Sequence, residues 1–344
     1  MTGSTFSYDF NGIFTVRSNI PYFNSLLRSF RNDDSVRSAA ISLGFFLDKN
    51  LRIAAGGKSR VNVMLYFDPS SGNVEFSYPW LRTISARLVN SNPTQFNFSF
   101  NRNYLRFSNI VAEGWELIDV LRSLLLMSLI QSGMYMIHGG AVKIGEQGIL
   151  IPSFGNTGKT TTTWMLGRRG AKFLTDEFAI LDREGLCFGF PCSSLVSSAL
   201  AREAHLGLSR RQRAGLFFND LSSKVVSTRF HPGGIKLYPD EHFETLNKAK
   251  VDKIVFIQNG EDSVQEIDRD RATSMIGAIQ SYELNWRANP YIIAHSYFGL
   301  KPDLDEISRL EKEVVRTQMS KVSKFYVVSS PPGRHAEAIW KLAE

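Results

Sequence analysis

The run Ile149-Leu150-Ile151-Pro152-Ser153-Phe154-Gly155-Asn156-Thr157-Gly158-Lys159-Thr160 constrains this chain more than any other stretch. An apolar strand feeds a glycine-containing loop, and the loop opens a helix through Trp164, Met165 and Leu166 to a stop at Arg168-Arg169-Gly170. Such a junction points free backbone N–H groups and the positive end of a helix dipole at one spot, which suits a phosphate. The candidate phosphate-binding residues are Ser153, Gly155, Asn156, Thr157, Gly158, Lys159, Thr160 and Thr161. In this reading Lys159 reaches the β/γ-phosphates and the Thr160 hydroxyl ligates Mg²⁺.

The pattern Gly-x4-Gly-Lys-Ser/Thr is met except at its first position, where Ser153 stands and a glycine is displaced to Gly155. Gly-Lys-Ser/Thr alone would arise by chance on the order of 0.1 to 0.2 times in such a chain. The tripeptide is therefore weak without its context of strand and helix. The run Thr160-Thr161-Thr162-Thr163 adds to that context, because each Thr costs about 0.5 kcal/mol of helix propensity relative to Ala. The helix needs an outside reason to form, either packing on a sheet or hydroxyls required at its first turn. The bland alternative is a plain strand-turn-helix connection.

At 344 residues the chain has room for two domains or one large one. Apolar content of 43% and charged content of 21% are those of a soluble globular protein. A net charge of +7 suits a protein that handles polyanions such as nucleotides, while nucleic acid is not specifically indicated. Arg210, Arg211 and Arg213 form the one tight basic cluster, read as a solvated helix face, with part of a substrate or phosphate clamp as the alternative. Cys187 and Cys192 suggest neither a zinc site nor a disulfide framework, so a reducing, cytoplasmic setting is expected. No secretory signal is visible, and the most apolar stretch, Leu124 to Ile130, is too short to span a membrane.

Residues 1–112 read as a small β-rich domain of short alternating runs. Val61 to Phe67 and Val74 to Tyr78 form a hairpin across Asp68-Pro69-Ser70-Ser71-Gly72-Asn73, with further strands at Thr83 to Val89, Gln95 to Phe100 and Tyr104 to Ile110. Helix is expected there only near Tyr22 to Phe30. The alternation of Phe96, Phe98 and Phe100 makes them one buried sheet face rather than a base-stacking platform. Residues 113–344 read as a second, α/β domain that opens with a helix from Glu113 to Gln131. Met134 to Ile137, His138-Gly139-Gly140, Ala141 to Ile144 and a turn at 145–148 lead into the loop strand. After the helix, Ala171 to Thr175 is a strand ending in Asp176-Glu177, and acidic residues at such a strand end sit where Mg²⁺ and a nucleophile are managed. Strands at Lys253 to Ile257 and Lys324 to Ser329, and helices at Ala272 to Ser281, Leu304 to Met319 and His335 to Leu342, complete the reading. No internal repeat or low-complexity tract is present.

His138-Gly139, the loop Gly155 to Thr160, the Arg168-Arg169-Gly170 stop and Asp176-Glu177 form an ordered set within about forty residues. That set resembles the catalytic core of the HPr kinase/phosphorylase family, over roughly residues 134–190, with a weaker echo in Pro332-Gly333-Arg334. The resemblance implies a P-loop kinase core with the phosphoenolpyruvate carboxykinase-like fold, a mixed sheet with flanking helices, preceded here by the β-rich domain. It implies ATP on the loop, Mg²⁺, and a Ser hydroxyl as acceptor. On it, Asp176 is the catalytic base, His138 lies beside it, and Glu177 keeps a metal-linked carboxylate. Homo-oligomeric assembly is also suggested by the family alone.

Phosphoryl transfer needs positioning and charge neutralisation more than covalent help, so Lys159, Mg²⁺ on Thr160 and one base form a sufficient minimum. Arg229 and Arg334 are candidates for an arginine on the γ-phosphate, with a surface ion pair as the alternative. His231 and His335 have no carboxylate or Cys partner at ligand spacing. The expected function is an ATP- and Mg²⁺-dependent kinase acting on a hydroxyl of a protein or peptide. The alternatives are a small-molecule hydroxyl kinase and a non-catalytic, nucleotide-gated binding module. Carboxykinase-type decarboxylation fits worst, because no cluster of His and Lys ligands for Mn²⁺ is evident.

Overall fold

In a computed structural model of the chain, the described residues are 6–10, 12–19, 41–47, 59–60, 65–68, 73–78, 81–92, 95–101, 115–190, 194–225, 234–300, 302–331 and 333–344. They form two compact units, Met1–Gly133 with Leu284–Glu313, and Met134–Glu283 with Val314–Glu344.

The first unit is built on strands β1 (Phe6–Phe10), β2 (Phe14–Ser18), β3 (Ile41–Leu47), β4 (Ser59–Arg60), β5 (Leu65–Phe67), β6 (Val74–Tyr78), β7 (Leu81–Asn92) and β8 (Gln95–Phe100), followed by helix α1 (Trp115–Gln131). They pair in the order β1-β2-β3-β8-β7-β6-β5-β4. β3 is parallel to both of its neighbours, β2 and β8. β5 and β6 make the expected antiparallel hairpin. Phe96 and Phe98 are buried, and Phe98 stacks on Phe45 at 5.2 Å, so their alternation marks a sheet face turned to the core. The helix expected near Tyr22 to Phe30 and the strand expected at Tyr104 to Ile110 lie outside the described residues.

The second unit begins with β9 (Tyr135–Ile144) and β10 (Gln147–Pro152), followed by α2 (Lys159–Arg168), β11 (Lys172–Thr175), β12 (Phe178–Leu181), β13 (Leu186–Phe188), β14 (Ser194–Val196), α3 (Ser198–Glu203) and α4 (Arg210–Val225). Then come β15 (Ile235–Leu237), β16 (Lys248–Lys250), β17 (Lys253–Asn259), β18 (Ser263–Ile267) and α5 (Arg269–Glu283). Helix α6 (Pro290–Tyr297) and the start of α7 (Leu304–Lys321) belong to the first unit, and β19 (Lys324–Ser330) and α8 (His335–Ala343) close the second. The main sheet runs β16-β13-β12-β9-β10-β17-β19-β18, with β11 added on β9. β10, β17 and β19 are mutually parallel, and the remaining neighbours are antiparallel. The chain is therefore mixed α/β, a mixed sheet with flanking helices preceded in sequence by a β-rich unit. The carboxyl ends of three parallel strands share one edge, and the loop after β10 emerges there.

β9 and β10 are buried on both faces, which is why they read as continuous apolar runs rather than alternating ones. The His138-Gly139-Gly140 segment does not interrupt β9, which runs through it as one strand. The two glycines are there for close approach. A Cβ on Gly140 would stand 2.3 Å from Thr163 Cγ2, and one on Gly139 would stand 3.1 Å from the Ile151 carbonyl oxygen. The Thr-rich helix α2 thus owes its place to the sheet: Thr162 and Thr163 are fully buried, and their hydroxyls donate back to the Gly158 and Lys159 carbonyls. It ends as its sequence suggests. Gly170 takes φ 101°, the Gly170 amide donates to Gly167 O and the Ala171 amide to Leu166 O, a Schellman stop. Val142, Ile151, Leu166, Val255, Val328 and Ile339 form one core beneath this helix. Among the described residues, no helix is long and apolar enough to cross a membrane.

Gly140→Ala is expected to lose about 1–3 kcal/mol by overpacking, measured by urea unfolding. Thr163→Ser removes the opposing methyl and keeps the hydroxyl, so the double variant should recover most of the loss; strictly additive losses would disprove the contact.

Candidate functional site

The six residues between β10 and α2 are shaped by two left-handed positions, Asn156 at φ 64° and Gly158 at φ 92°. Asn tolerates this region better than most residues and Gly enters it without cost. Gly158 is also the N-cap of α2, where no side chain caps the helix and no acidic residue occupies the first turn. The leading amides and the positive helix end thus face the loop without an intrachain anion on the cap. Thr160 and Thr161 lie half-buried in that turn. The Thr157 hydroxyl tightens the loop by donating to the Phe154 carbonyl at 2.8 Å.

Two polar atoms beside the loop are buried without a hydrogen-bond partner. One is Ser153 Oγ, in a residue 1% exposed; the other is Nδ1 of His335, fully buried at the start of α8. His335 Nε2 donates to the Gln258 carbonyl at 2.9 Å, which leaves Nδ1 as an acceptor, 4.0 Å from where a Gly158 Cβ would stand. Burying a polar atom unpaired is costly, so each such atom calls for a reason.

Lys159, the first residue of α2, is buried and donates from Nζ to His138 Nε2 at 2.7 Å. His138 lies in β9 with Nδ1 3.0 Å from the Ser153 carbonyl. A carbonyl can only accept, so Nδ1 carries the proton and Nε2 offers its lone pair to the ammonium. The Glu283 carboxylate stands 3.8 Å from His138 Nδ1 and accepts the Gly155 amide at 2.5 Å. One turn earlier on α5, the Gln280 side chain accepts the His138 amide at 2.9 Å and donates to the Met136 carbonyl. Burial pulls the Lys159 ammonium down to about 8, opposed by Asp176, Glu177 and Glu283.

Asp176 follows β11, in a turn tied to β9 by the Gly139 amide donating to the Glu177 carbonyl at 3.0 Å. It is buried, and Ser194 Oγ donates to its Oδ2 at 2.6 Å. Burial lifts its carboxyl to about 6; Ser194 opposes this, Glu177 adds to it and Lys159 opposes it. The buried Trp164 indole N–H helps in the same sense as Lys159, without meeting hydrogen-bond geometry. Asp176 and Glu177 therefore stand within electrostatic reach of Lys159, and the strand end, the loop and His138 form one cluster.

Among the residues singled out from sequence, Ser153, Gly155, Asn156, Thr157, Gly158, Lys159, Thr160 and Thr161 are contiguous around the loop, with His138, Asp176 and Glu177 beside it. Arg334 is not drawn in: it pairs with Asp262 at 2.7 Å on the surface and lines a cleft of about 480 Å³ with Ser329, Ser330 and Lys341. Arg229, His231 and Cys192 lie outside the described residues, Cys187 is buried and free, and Arg210, Arg211 and Arg213 are exposed on α4. Among the described residues, no group of three or more His, Cys, Asp or Glu converges to hold a metal. Sequence reasoning missed Glu283, Gln280 and Ser194, which reach the cluster from 128, 142 and 18 residues away. Only Ser194, close in sequence to Asp176, was within range of a local signal. No family model and no curated protein matches this chain.

A carboxyl raised by folding keeps its proton longer in the folded chain than in the unfolded one. Its ionisation therefore costs stability as pH rises from the ordinary 3.8 to about 6, by about 3 kcal/mol in all. Asp176→Asn is expected to be the more stable protein above pH ~6, with the gap closing toward pH ~4. Thermal melts of both proteins across that range test it; parallel curves would remove Asp176 as the buried ionisable group.

Proposed function

We propose that the second unit is an ATP-dependent, Mg²⁺-requiring kinase core of the HPr kinase/phosphorylase type, passing the γ-phosphoryl group to a hydroxyl, a serine first, of a protein or peptide. One observation carries the reading: a buried lysine at the head of an uncapped helix, with two carboxylates from the neighbouring strand end acting on it. The β-rich unit favours a macromolecular acceptor, since a small one needs only a pocket.

The residues present fit the groups this activity needs. The uncapped first turn of α2 and the unpartnered Ser153 Oγ, a hydroxyl able to donate, are what an anion-binding loop presents. Mg²⁺ takes few protein ligands beside nucleotide phosphates, so Thr160 and Glu177 suffice without a protein cage, and the ion would neutralise charge on the transferred group. Lys159 leaves His138 Nε2 for a phosphate oxygen, and the loop amides orient the phosphates in line. Asp176, with Oδ2 held by Ser194, takes the acceptor hydroxyl's proton on Oδ1 as the new O–P bond forms and ADP departs. His138, released by Lys159, keeps its Nδ1 proton on Ser153 O and stays fixed at the mouth of the loop.

Lys159→Ala should abolish ATP binding, measured by calorimetry. Asp176→Asn should bind ATP normally and lose transfer by about 10²–10⁴-fold, measured with labelled ATP, Mg²⁺ and fractionated extract as the acceptor source. Full transfer by both variants would rule the assignment out. Because the base works ionised and the lysine works protonated, kcat/KM should follow a bell with limbs near about 6 and about 8. Bound phosphate raises the lysine, so the alkaline limb should move upward in kcat. A kcat/KM profile flat from pH ~5 to ~9 would exclude this acid-base pair.

A further inference from the structure

We propose that Glu283 is a built-in latch on the loop: without nucleotide its carboxylate occupies a seat meant for a phosphate oxygen, and a nucleoside triphosphate binds by displacing it. The inference rests on the nucleotide reading of the loop and adds to it how the loop is kept closed.

Four features support it. The Gly155 amide, one of the N–H groups that an anion-binding loop presents, is taken by Glu283 Oε1 at 2.5 Å. The other carboxylate oxygen stands 3.8 Å from Nδ1 of the histidine that holds Lys159, so the same side chain lies beside the parked cation. It contributes to the field on that lysine. Phe154 and Tyr282, both exposed, meet edge to face at 5.6 Å, giving the end of α5 a second contact with the loop next to the first. A carboxylate and a phosphate oxygen cannot share one amide, because each is an anion seeking the same donor.

The placement of Glu283 is not left to chance. Gln280, one turn earlier on the same helix, bonds both the His138 amide and the Met136 carbonyl, so α5 is fastened to β9 independently of the latch. Glu283 is the last residue of α5, where a side-chain rotation or fraying of the final turn frees the carboxylate without detaching the helix. Such a contact lowers the apparent affinity by the fraction of molecules in which it is open.

The test titrates ATP into the full chain as wild type, Glu283→Ala, Glu283→Gln and Lys159→Ala, and follows hydrogen exchange of residues 153–160 without ligand. If the latch is open in about one-tenth of the molecules, Glu283→Ala should bind ATP about tenfold more tightly, with Glu283→Gln between it and wild type. Ligand-free exchange at the Gly155 amide should rise in both Glu283 variants. Unchanged affinity in both, with binding still lost in Lys159→Ala, overturns the latch and leaves the nucleotide reading standing. Weaker binding in both overturns it as well, since Glu283 would then be a ligand contact. Failure of wild type and both Glu283 variants to bind ATP overturns the nucleotide reading and the latch together.

Discussion

The hydrogen bond from Lys159 Nζ to His138 Nε2 is the interaction on which the arrangement of the second unit turns. It exists because the start of α2 and the middle of β9 lie close enough for the two side chains to meet at 2.7 Å. Gly139 and Gly140 allow that approach by having no Cβ where Ile151 O and Thr163 Cγ2 stand. The Ser153 carbonyl fixes which imidazole nitrogen is the acceptor, and Gln280 bonds the backbone of the same stretch of β9. Strand, loop, helix and α5 thus share one polar junction, and moving any of them alters the seat of a buried cation.

That junction is expensive for a fold to keep. Burial disfavours the charged form of Lys159 and of Asp176 alike, and each only partly relieves the other. Apolar residues of similar volume would hold this core together at least as well. Native proteins are stable by only about 5–15 kcal/mol net, so a penalty of this kind has to be offset elsewhere in the fold. Perturbed ionisable groups cluster at functional sites and in structural ion-pair networks alike. The unpartnered Ser153 Oγ lies at the same junction.

What could be read from sequence was local. Strand and helix on either side of the loop, the stop at Arg169-Gly170, and the buried alternation of Phe96 and Phe98 all follow from period and from glycine placed within a few residues. The course of β9 through His138-Gly139-Gly140 could not be read that way, because consecutive glycines signal a turn unless one knows which atoms press against them. β18 was silent for a different reason: four of its five residues are exposed, so no apolar alternation marks it. Glu283 and Gln280 were invisible because their partners lie 128 and 142 residues away, and nothing in a helix sequence says which strand its last turn will touch.

Ser153 stands where the phosphate-loop pattern has glycine, and the backbone of this loop does not require glycine there. A glycine is required where φ is positive or where another atom crowds the Cα, and in this loop the positive angles fall at Asn156 and Gly158. Position 153 acts through its carbonyl, which accepts a hydrogen bond from His138 Nδ1–H and so sets the imidazole to accept from Lys159. Every residue has that carbonyl. The side chain need only be small enough for a site that is 1% exposed, and serine is. The constraint on the first loop position is therefore one of volume and backbone direction, and the left-handed angles of this loop fall three and five residues further along the chain.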